Sequence, residues 1–580
     1  MKIHQAERLT GLSQKAIRLY ESKGLLAVSR EENGYRSYTE EDVATLSKIK
    51  LLRLAGISLS DIKLYLVGLI SADDLLSKRK KQIASEHGTH SRQYAVCEQI
   101  ASDFSANAFG KKYAFEEEND HPAKPCGRLA VGIDIGTTTI SAALIDLDEK
   151  RQVASYTIPN RCNVEGREPF FAEQDAEAII EKAIRLLDHV LDEFSSVSVI
   201  GVTGQMHGIV YVDGQGKAIS PLATWRDERA GQMATSGLRY TDEMQSKTGE
   251  HVAVGYGLAT HYYNLQNGTV PEDAASLCSV MDLLVLRLSG RKTPLVHSSV
   301  AASFGLFDLE NASFCKAKLA ALGIDAKLLP VVTDDYAICG RFRDIPVSVA
   351  IGDNQASFLG SVKKPEKSIL LNVGTGSQIS FMGELCALPE GLELRPLVKG
   401  KHLICGAALC GGSAYALLER FFREYLSACG LAHGSQYEIL NRLAAEAYEK
   451  NACVPTVKTT FRGTRTEPDR TGALLSLREE SFTPGALALG FIQGICEELF
   501  DFYRASGKTD KSYVVASGGG SQRIGVLPKV AKDIFAMPVA LLDGNEEASV
   551  GAALFAAVSD GLLSGMAEFS DYIRYADKKQ

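Results

Sequence analysis

Three glycine-rich segments of the chain carry residue types that hold phosphate groups. They are residues 134–139 (Asp-Ile-Gly-Thr-Thr-Thr), 372–377 (Asn-Val-Gly-Thr-Gly-Ser) and 516–521 (Ala-Ser-Gly-Gly-Gly-Ser), and each follows an apolar run typical of a strand. Glycine permits a tight turn whose backbone amides face an anion, and threonine hydroxyls add donors. Three such loops at strand ends predict a nucleotide site, which we expect to bind ATP.

The loops also define the residues that we expect around the nucleotide. Asp134 can hold Mg²⁺ through water, because this ion keeps several waters and takes few protein ligands. Close backbone approach at the third loop suits an adenosine moiety. The candidate ATP-binding residues in these loops are Thr137, Thr138, Thr139, Gly374, Thr375, Gly376, Gly518 and Gly519.

The composition of the chain divides it into regions that must position these loops. Residues 1–70 show short helical patterns, residues 71–104 form a polar, helix-prone stretch, and residues 105–128 have the composition of a linker. From residue 129 onward, strands alternate with helices, which predicts an α/β fold. We expect one lobe over residues 129–362 and a second over residues 363–580. The 580-residue chain has a net charge of −8, with a small basic excess near its start.

The first 70 residues have the pattern of a helix-turn-helix followed by a wing. Ser13 is placed to cap a second helix, which such a motif inserts into the major groove of DNA. Asn33-Gly34 favours a two-residue hairpin turn, and basic and aromatic residues beside it suit phosphate contact. The candidate DNA-binding residues are Ser13, Gln14, Lys15, Arg18, Tyr20, Arg36 and Tyr38.

This region resembles the DNA-binding domain of the MerR family. The resemblance rests on Thr10-Gly11-Leu12-Ser13, Ile17-Arg18-Leu19-Tyr20-Glu21, Asn33-Gly34-Tyr35-Arg36-Ser37-Tyr38 and Leu52-Arg53-Leu54-Ala55-Gly56. It implies a winged helix-turn-helix domain, all-α apart from its wing, that binds double-stranded DNA. It also implies a homodimer joined by a long helix after the domain. Residues 73–104 could form that helix, with a shared face of Tyr94, Cys97, Ile100 and Phe104.

From residue 129 to residue 558 the chain resembles the FGGY carbohydrate kinases. The three phosphate loops, Gly352-Asp353-Asn354-Gln355, Gly411-Gly412-Ser413 and the ending Glu546-Glu547-Ala548-Ser549 carry the resemblance. It implies a two-lobed actin-like ATPase fold of the ribonuclease H-like type, with Gly412 at the nucleotide. It also implies that Asp353 is the general base that accepts the proton of the attacking sugar hydroxyl.

The resemblance and the residue types together suggest a sugar site. Gln205-Met206-His207 follows a strand, and in the family Met206 and His207 line the sugar. Asn354 follows the base, and Trp225, Arg226 and Asp227 supply the aromatic face, guanidinium and carboxylate that a sugar site needs. Segments such as Thr460-Phe461-Arg462-Gly463 and Gln355 resemble the sedoheptulokinase branch. We therefore expect a ketose phosphorylated on its terminal hydroxyl, sedoheptulose first and xylulose as the alternative.

Other features of the sequence favour an active, cytoplasmic protein. The chain shows no signal peptide and no apolar run of membrane-spanning length, and its twelve cysteines form no CxxC pair. We expect no membrane partner. The alternative function is that of a regulator whose kinase fold only senses sugar or ATP. Because Asp353 and every glycine loop are intact, we expect an active kinase with DNA binding as a regulatory activity.

Overall fold

The structure, a computed structural model, forms two compact units, Met1–Lys124 and Pro125–Gln580. We refer to them as the head and the body. The residues described are 1–30, 36–87, 92–105, 127–166, 168–431, 434–465, 467, 469–544 and 546–576. Within these ranges, no helix combines the length and the apolar character that crossing a membrane requires.

The head consists of short helices and a two-stranded hairpin. Ser13 caps its second helix by accepting the amide of Ala16 at 3.1 Å, and Thr39 and Asp42 form a capping box at the third. The turn of the hairpin, with Asn33-Gly34, lies outside the described residues. The elements are α1 (Ile3–Thr10), α2 (Gln14–Ser22), β1 (Ser29–Arg30), β2 (Arg36–Ser37), α3 (Glu40–Leu54), α4 (Leu59–Leu66), α5 (Ala72–His87) and α6 (Arg92–Ser105).

The expected single helix over residues 73–104 is wrong, because this stretch forms α5 and α6. The two helices pack on each other, and the Cys97 thiol points at the carbonyl of Leu76. Cys97 and Ile100 are buried inside the head, and Phe104 packs edge-on against Tyr65. The face expected to join two subunits is thus covered by the head itself. Gly88, a poor helix former, lies between the two helices in sequence.

The first lobe of the body, up to residue 362, is built on a mixed sheet. Its strand order is β15-β16-β7-β3-β4-β5, with β17 beside β7. The strands are β3 (Leu129–Ile135), β4 (Thr139–Asp146), β5 (Arg151–Pro159), β6 (Glu173–Gln174), β7 (Val197–Gly204), β8 (Val210–Val212), β9 (Leu222–Ala223), β10 (Ser276–Cys278), β11 (Leu295–His297), β12 (Phe307–Asp308), β13 (Ser313–Phe314), β14 (Val331–Thr333), β15 (Ile338–Phe342), β16 (Ile345–Ser348) and β17 (Ile351–Gly352). The helices are α7 (Ala176–Glu193), α8 (Tyr240–Thr248), α9 (Gly257–Gln266), α10 (Val280–Ser289), α11 (Ser298–Ala301), α12 (Lys316–Leu322) and α13 (Asp353–Ser361).

The second lobe, from residue 363, has a sheet of order β20-β21-β19-β18-β24-β25. The strands are β18 (Ser368–Val373), β19 (Ser377–Gly383), β20 (Leu392–Val398), β21 (Lys401–Ala408), β22 (Thr456–Lys458), β23 (Ala473–Leu475), β24 (Tyr513–Ser517) and β25 (Val539–Leu541). The helices are α14 (Gly412–Ala428), α15 (Tyr437–Glu449), α16 (Pro484–Ala505), α17 (Gly518–Arg523), α18 (Leu527–Phe535) and α19 (Glu547–Ser559).

The two sheets repeat one arrangement of strands. In the first lobe, β3 forms an antiparallel hairpin with β4 and pairs in parallel with β7. In the second lobe, β18 forms an antiparallel hairpin with β19 and pairs in parallel with β24. The first phosphate loop is the turn between β3 and β4, and the second is the turn between β18 and β19. The two lobes are therefore built on the same strand arrangement.

The last long helix, α19, ties the two lobes together. It packs on β3 and β7 of the first lobe and crosses α13. The crossing is close because glycine stands at the contacts: a Cβ at Gly551 would lie 1.9 Å from the carbonyl oxygen of Ala356. A Cβ at Gly360 would lie 2.1 Å from the carbonyl oxygen of Glu547. This packing holds the acidic start of α19 beside the last turn of α13.

Candidate active site

Asp353 is the first residue of α13 and lies where β17 ends. The preceding amide, that of Gly352, donates to the Ser299 hydroxyl at 3.1 Å, which fixes the turn into the helix. Burial raises the pKa of Asp353 to about 6, and the positive charge of Arg395 opposes the rise. The carboxylate is therefore mostly ionised at neutral pH yet basic enough to take up a proton.

A cavity of about 230 Å³ opens on one side of Asp353 and collects acidic groups. Burial raises the pKa of Asp134 to about 8, and three neighbouring carboxylates add to the rise. Burial likewise raises the pKa of Glu547 to about 7. We call this space the smaller cavity, and its lining includes Asp134, Asp353, Asn354, Asn372, Gln378, Ser380, Glu546 and Glu547.

The donor set of the smaller cavity fits a hydrated Mg²⁺. Crowded carboxylates with raised pKa values are the groups that a nearby divalent cation returns to their ionised form. Mg²⁺ in proteins usually keeps several waters and uses one or two carboxylates together with phosphate oxygens. Asp134 and Glu546, at the mouth of the first loop and the start of α19, are positioned for that role. Among the described residues, no group of three or more His, Cys, Asp or Glu side chains is arranged to hold a metal ion.

The glycines of the second lobe lie against one another around the second phosphate loop. The amide of Gly412 donates to the carbonyl of Gly374 at 2.8 Å, and a Cβ at Gly411 would lie 2.4 Å from the carbonyl oxygen of Gly376. Gly518 has a φ of +83°, and a Cβ there would lie 2.6 Å from the Asn372 side chain. The start of α14 and the second and third loops therefore form one glycine-lined surface.

The first phosphate loop is held by side chains rather than by glycine contacts. The Thr137 hydroxyl donates to Gln205 at 3.2 Å and accepts the indole N–H of Trp225 at 3.0 Å. The amide of Gln205 in turn donates to Gln174 at 2.9 Å. Thr138 and Thr139 are exposed, so their hydroxyls face solvent. The loop therefore presents the hydroxyls of Thr138 and Thr139 from a backbone that the bonds of Thr137 hold in place.

A larger cavity, of about 660 Å³, is lined by Ser299, whose hydroxyl accepts the amide of Gly352 before Asp353. Its volume lies within the range of about 300–1,000 Å³ that small-molecule sites occupy. The lining combines apolar, charged and aromatic side chains of both lobes. They include Met206, His207, Glu250, His251, Tyr256, Ser299, Ser303, Phe307, Leu309, Leu392, Glu393, Arg395 and Arg465.

His207 is held in one orientation in the larger cavity. Its backbone has a φ of 72°, a conformation that is uncommon outside glycine and is often found at functional sites. The ring stacks on Tyr256 at 4.4 Å, and Nδ1 lies 2.9 Å from the carbonyl oxygen of Ser303. Burial, then the charge of Arg395, lowers the pKa of His207 to about 3. A carbonyl only accepts, so Nδ1 carries the proton and Nε2 is an acceptor.

In the head, the candidate DNA-binding residues divide into exposed and buried ones. Lys15 and Arg18 are exposed on α2, the helix that Ser13 caps, and Gln14 hydrogen-bonds Glu7 at 2.7 Å. Arg36 on β2 pairs with Glu21 at 2.5 Å. Tyr20 and Tyr38 are only 3% and 2% exposed. Both tyrosines therefore belong to the core of the head, and Tyr20 shares the inward face of α2 with Ile17. Their assignment to DNA contact is wrong.

Comparison with known proteins settles the family. The model of the N-terminal domain of the FGGY family of carbohydrate kinases matches residues 129–360, and the C-terminal domain model matches residues 370–559. The chain belongs to the FGGY family of carbohydrate kinases. It is thus a sugar kinase, and its residues 1–69 match the model of the MerR HTH family of regulatory proteins.

Relatives and solved structures agree with this family. The sedoheptulokinase of Mus musculus is 27% identical over 476 residues, which cover 73% of this chain and 96% of that protein. A xylulose kinase of Streptomyces rubiginosus is 27% identical over 271 residues, covering 44% and 54%. The crystal structure of a xylulose kinase from Lactobacillus acidophilus superposes with a TM-score of 0.66 at 18% identity, covering 78% and 93% of the chains. The last match shows that the fold is shared.

In this kinase, several residues expected at the sugar do not line the larger cavity. Gln205 braces the first loop, and Trp225, 44% exposed, lies against the same loop with Arg226 stacked on its ring at 4.9 Å. Asp227 is 1% exposed and accepts two hydrogen bonds from Arg229, at 2.7 and 2.9 Å. Asp227 is buried and lines neither cavity, so its assignment to the sugar site is wrong.

Asn354 is also committed to the protein. Its amide donates to Ser380 at 3.0 Å, and its oxygen accepts the thiol of Cys405 at 3.1 Å. It lines the smaller cavity rather than the larger one. Gln355 donates to the carbonyl of Pro396 at 2.8 Å and joins α13 to β20. Both residues therefore fix α13 against the second lobe.

Sequence reasoning missed charged and aromatic residues that line the larger cavity. Glu393 and Arg395 reach it from β20, and Tyr256 and Arg465 come from two other parts of the chain. One signal was available in the sequence. Residues two apart on a strand face the same side, and Glu393 and Arg395 interrupt an otherwise apolar stretch with opposite charges.

Proposed function

We propose that this kinase transfers the γ-phosphoryl group of ATP to the terminal hydroxyl of a ketose, sedoheptulose. One observation carries the proposal: Asp353 lines the smaller cavity together with Asp134 and Asn372, and the amide of Gly352 just before it is bonded to Ser299 of the larger cavity, which Met206 and His207 also line. The likeness to sedoheptulokinases over nearly their whole length supports the choice of sugar. The cytoplasm, which holds both ATP and DNA, is the compartment that suits both units.

Phosphoryl transfer needs in-line placement and charge neutralisation more than covalent chemistry from the protein. The sugar lies in the larger cavity with its terminal hydroxyl at Asp353. The carboxylate accepts the hydroxyl proton as the oxygen bonds to the γ-phosphorus, and the bond to the β–γ bridging oxygen breaks to release ADP. Mg²⁺, when bound beside Asp134, supplies positive charge that offsets the phosphates.

The remaining residues position the two substrates. The glycine-lined surface lets the phosphates approach the backbone without side chains in the way. Neutral His207 accepts a sugar hydroxyl at Nε2, and Met206 packs on the carbon chain. The stacking of His207 on Tyr256 and its bond to Ser303 hold the acceptor in place before the sugar arrives.

The sugar assignment is tested by ADP release with ATP, Mg²⁺ and a panel of ketoses. We expect sedoheptulose to give the highest kcat/KM, with xylulose next. A preference for xylulose would replace the proposed substrate with the pentulose. If no sugar stimulates ADP release, the kinase fold acts as a sensor and the proposed reaction is wrong.

We also propose that the head binds double-stranded DNA and regulates transcription. Support comes from the MerR match and from Lys15 and Arg18, which are exposed on the capped helix α2. An arginine that contacts a base or phosphate contributes about 1–3 kcal/mol to binding. In a gel shift with DNA from upstream of the gene, Arg18→Ala should weaken binding about tenfold. Lys81→Ala, at an exposed position of α5, should leave binding unchanged. Equal binding by both variants would refute the assignment of α2.

A further inference from the structure

The wall of the larger cavity that faces the first lobe carries four hydrogen-bonded polar and charged side chains. Glu393 and Arg395 lie on β20, and Tyr256 and Arg465 come from elsewhere in the chain. We call these four residues the charged ladder. Arg395 binds Glu393 through Nε at 3.0 Å and Nη2 at 2.6 Å, both to the same oxygen. The other oxygen of Glu393 accepts the Tyr256 hydroxyl at 3.1 Å and lies 3.5 Å from Arg465. All four residues line the cavity, and none belongs to the phosphate loops.

The ladder runs away from the catalytic base. Pro396 is bonded to Gln355 on α13, and the charge of Arg395 lowers the pKa of both Asp353 and His207, so this part of β20 lies beside the base. Glu393 is two residues farther along the strand, a span of about 7 Å. A hydroxyl near Glu393 is therefore several carbons from the one that reacts.

The chemistry of the ladder suits a chain of hydroxyl groups. Burial alone would raise the pKa of Glu393, but the charges of Arg395 and Arg465 outweigh it and hold that pKa at about 2. Glu393 is therefore an ionised acceptor, the two guanidinium groups are donors, and His207 is a neutral acceptor. Each sugar hydroxyl both donates and accepts, so an alternation of such groups can bind consecutive hydroxyls.

We infer that Glu393, held by Arg395, is a specificity-determining residue that binds the hydroxyls far from the reacting end and thereby selects long ketoses over short ones. This inference rests on the proposed ketose kinase activity. A seven-carbon ketose reaches Glu393 from Asp353, whereas a five-carbon ketose ends closer to Arg395. The second lobe, through Glu393 on β20, thus distinguishes ketoses by chain length, whereas the first lobe binds long and short ketoses in the same way.

The test is steady-state kinetics of the full chain with ATP and either sedoheptulose or xylulose. Glu393→Gln should raise the KM for sedoheptulose about tenfold or more, since a hydrogen bond to a charged group is lost. The KM for xylulose should change by less than about threefold, given that a shorter sugar makes no such bond. The KM for ATP should not change, which shows that the variant is folded. Tyr256→Phe removes one partner of Glu393 and should shift selectivity the same way, by less.

The matched control is Glu446→Gln, on the surface helix α15, where Glu446 pairs with Arg442 at 2.8 Å. It should leave both sugars unaffected. A wild-type enzyme active on ketoses whose selectivity is unchanged by Glu393→Gln and Tyr256→Phe would overturn the inference alone. Equal losses on both sugars would also overturn it. A wild-type enzyme inactive on every ketose would overturn the inference together with the proposed function.

Discussion

The smaller cavity, lined by Asp353, and the larger cavity, lined by the Ser299 that binds the amide of Gly352, are built in different ways. The smaller cavity is made from short motifs, each of them contiguous in sequence and placed where a strand ends. The larger cavity is lined by side chains from separate parts of the chain, among them Met206 and His207, Tyr256 before α9, Glu393 and Arg395 on β20, and Arg465. The first design holds a phosphate chain, which is the same in every kinase that uses ATP. The second can change one residue at a time, which is what a change of sugar requires.

The largest effect should come from Asp353, the proposed general base, which lines the smaller cavity. Asp353→Asn keeps the shape but removes the proton acceptor, so kcat should fall about 10²- to 10⁴-fold, the usual contribution of a general base. Calorimetric binding of ATP and of the sugar should stay within about threefold of wild type, since neither cavity loses its own contacts. Asp273→Asn, on the surface, is the control. Retained kcat in Asp353→Asn would mean that another group takes the proton.

A second variant should damage the smaller cavity alone. A side chain at Gly411 would overlap the carbonyl of Gly376, so Gly411→Val must push α14 away from the second phosphate loop. We expect the KM for ATP to rise at least about tenfold, equivalent to roughly 1.4 kcal/mol of lost binding, with the affinity for sugar unchanged. Gly525→Val, at a site with nothing within 4 Å of a new Cβ, is the control. Equal losses for ATP and sugar would show that the cavities are not independent.

The smallest of the three effects should be a pH dependence that links the cavities. Because the pKa of Asp353 is about 6 and only its ionised form accepts a proton, kcat/KM for the sugar should fall as pH drops through about 6. One unit below that midpoint the loss is about tenfold. Arg395→Gln removes the positive charge that favours ionisation, so its midpoint should lie higher. An unchanged midpoint in Arg395→Gln would show that the charge of Arg395 does not affect the pKa of Asp353.

The phosphate loops could be recognised in the sequence because local rules govern them. Loops such as 372–377 need glycine to let backbone pass backbone, and that need is visible one segment at a time. The two-lobed fold class followed from the same loops. The caps at Ser13 and Thr39 were also predictable, since a cap and its amide lie within three residues.

What the sequence did not reveal depends on contacts between distant segments. Asp227 has the residue type of a sugar ligand, but only the fold shows that Arg229 and the amide of Ala172 occupy its oxygens. Tyr20 and Tyr38 resemble DNA contacts until their burial is known. Glu393 and Tyr256 are 137 residues apart in sequence, and no local pattern joins them.

The most direct measurement is ³¹P NMR of the reaction of the wild-type protein with ATP, Mg²⁺ and sedoheptulose. A kinase whose Asp353 meets the terminal hydroxyl should convert ATP to ADP and a single phosphomonoester, with the new signal coupled to the two protons of the terminal carbon. The same spectrum with Asp353→Asn should show ATP almost unchanged. Formation of ADP and inorganic phosphate without a sugar ester, or a phosphate on an internal carbon, would contradict the proposed placement of the sugar at Asp353.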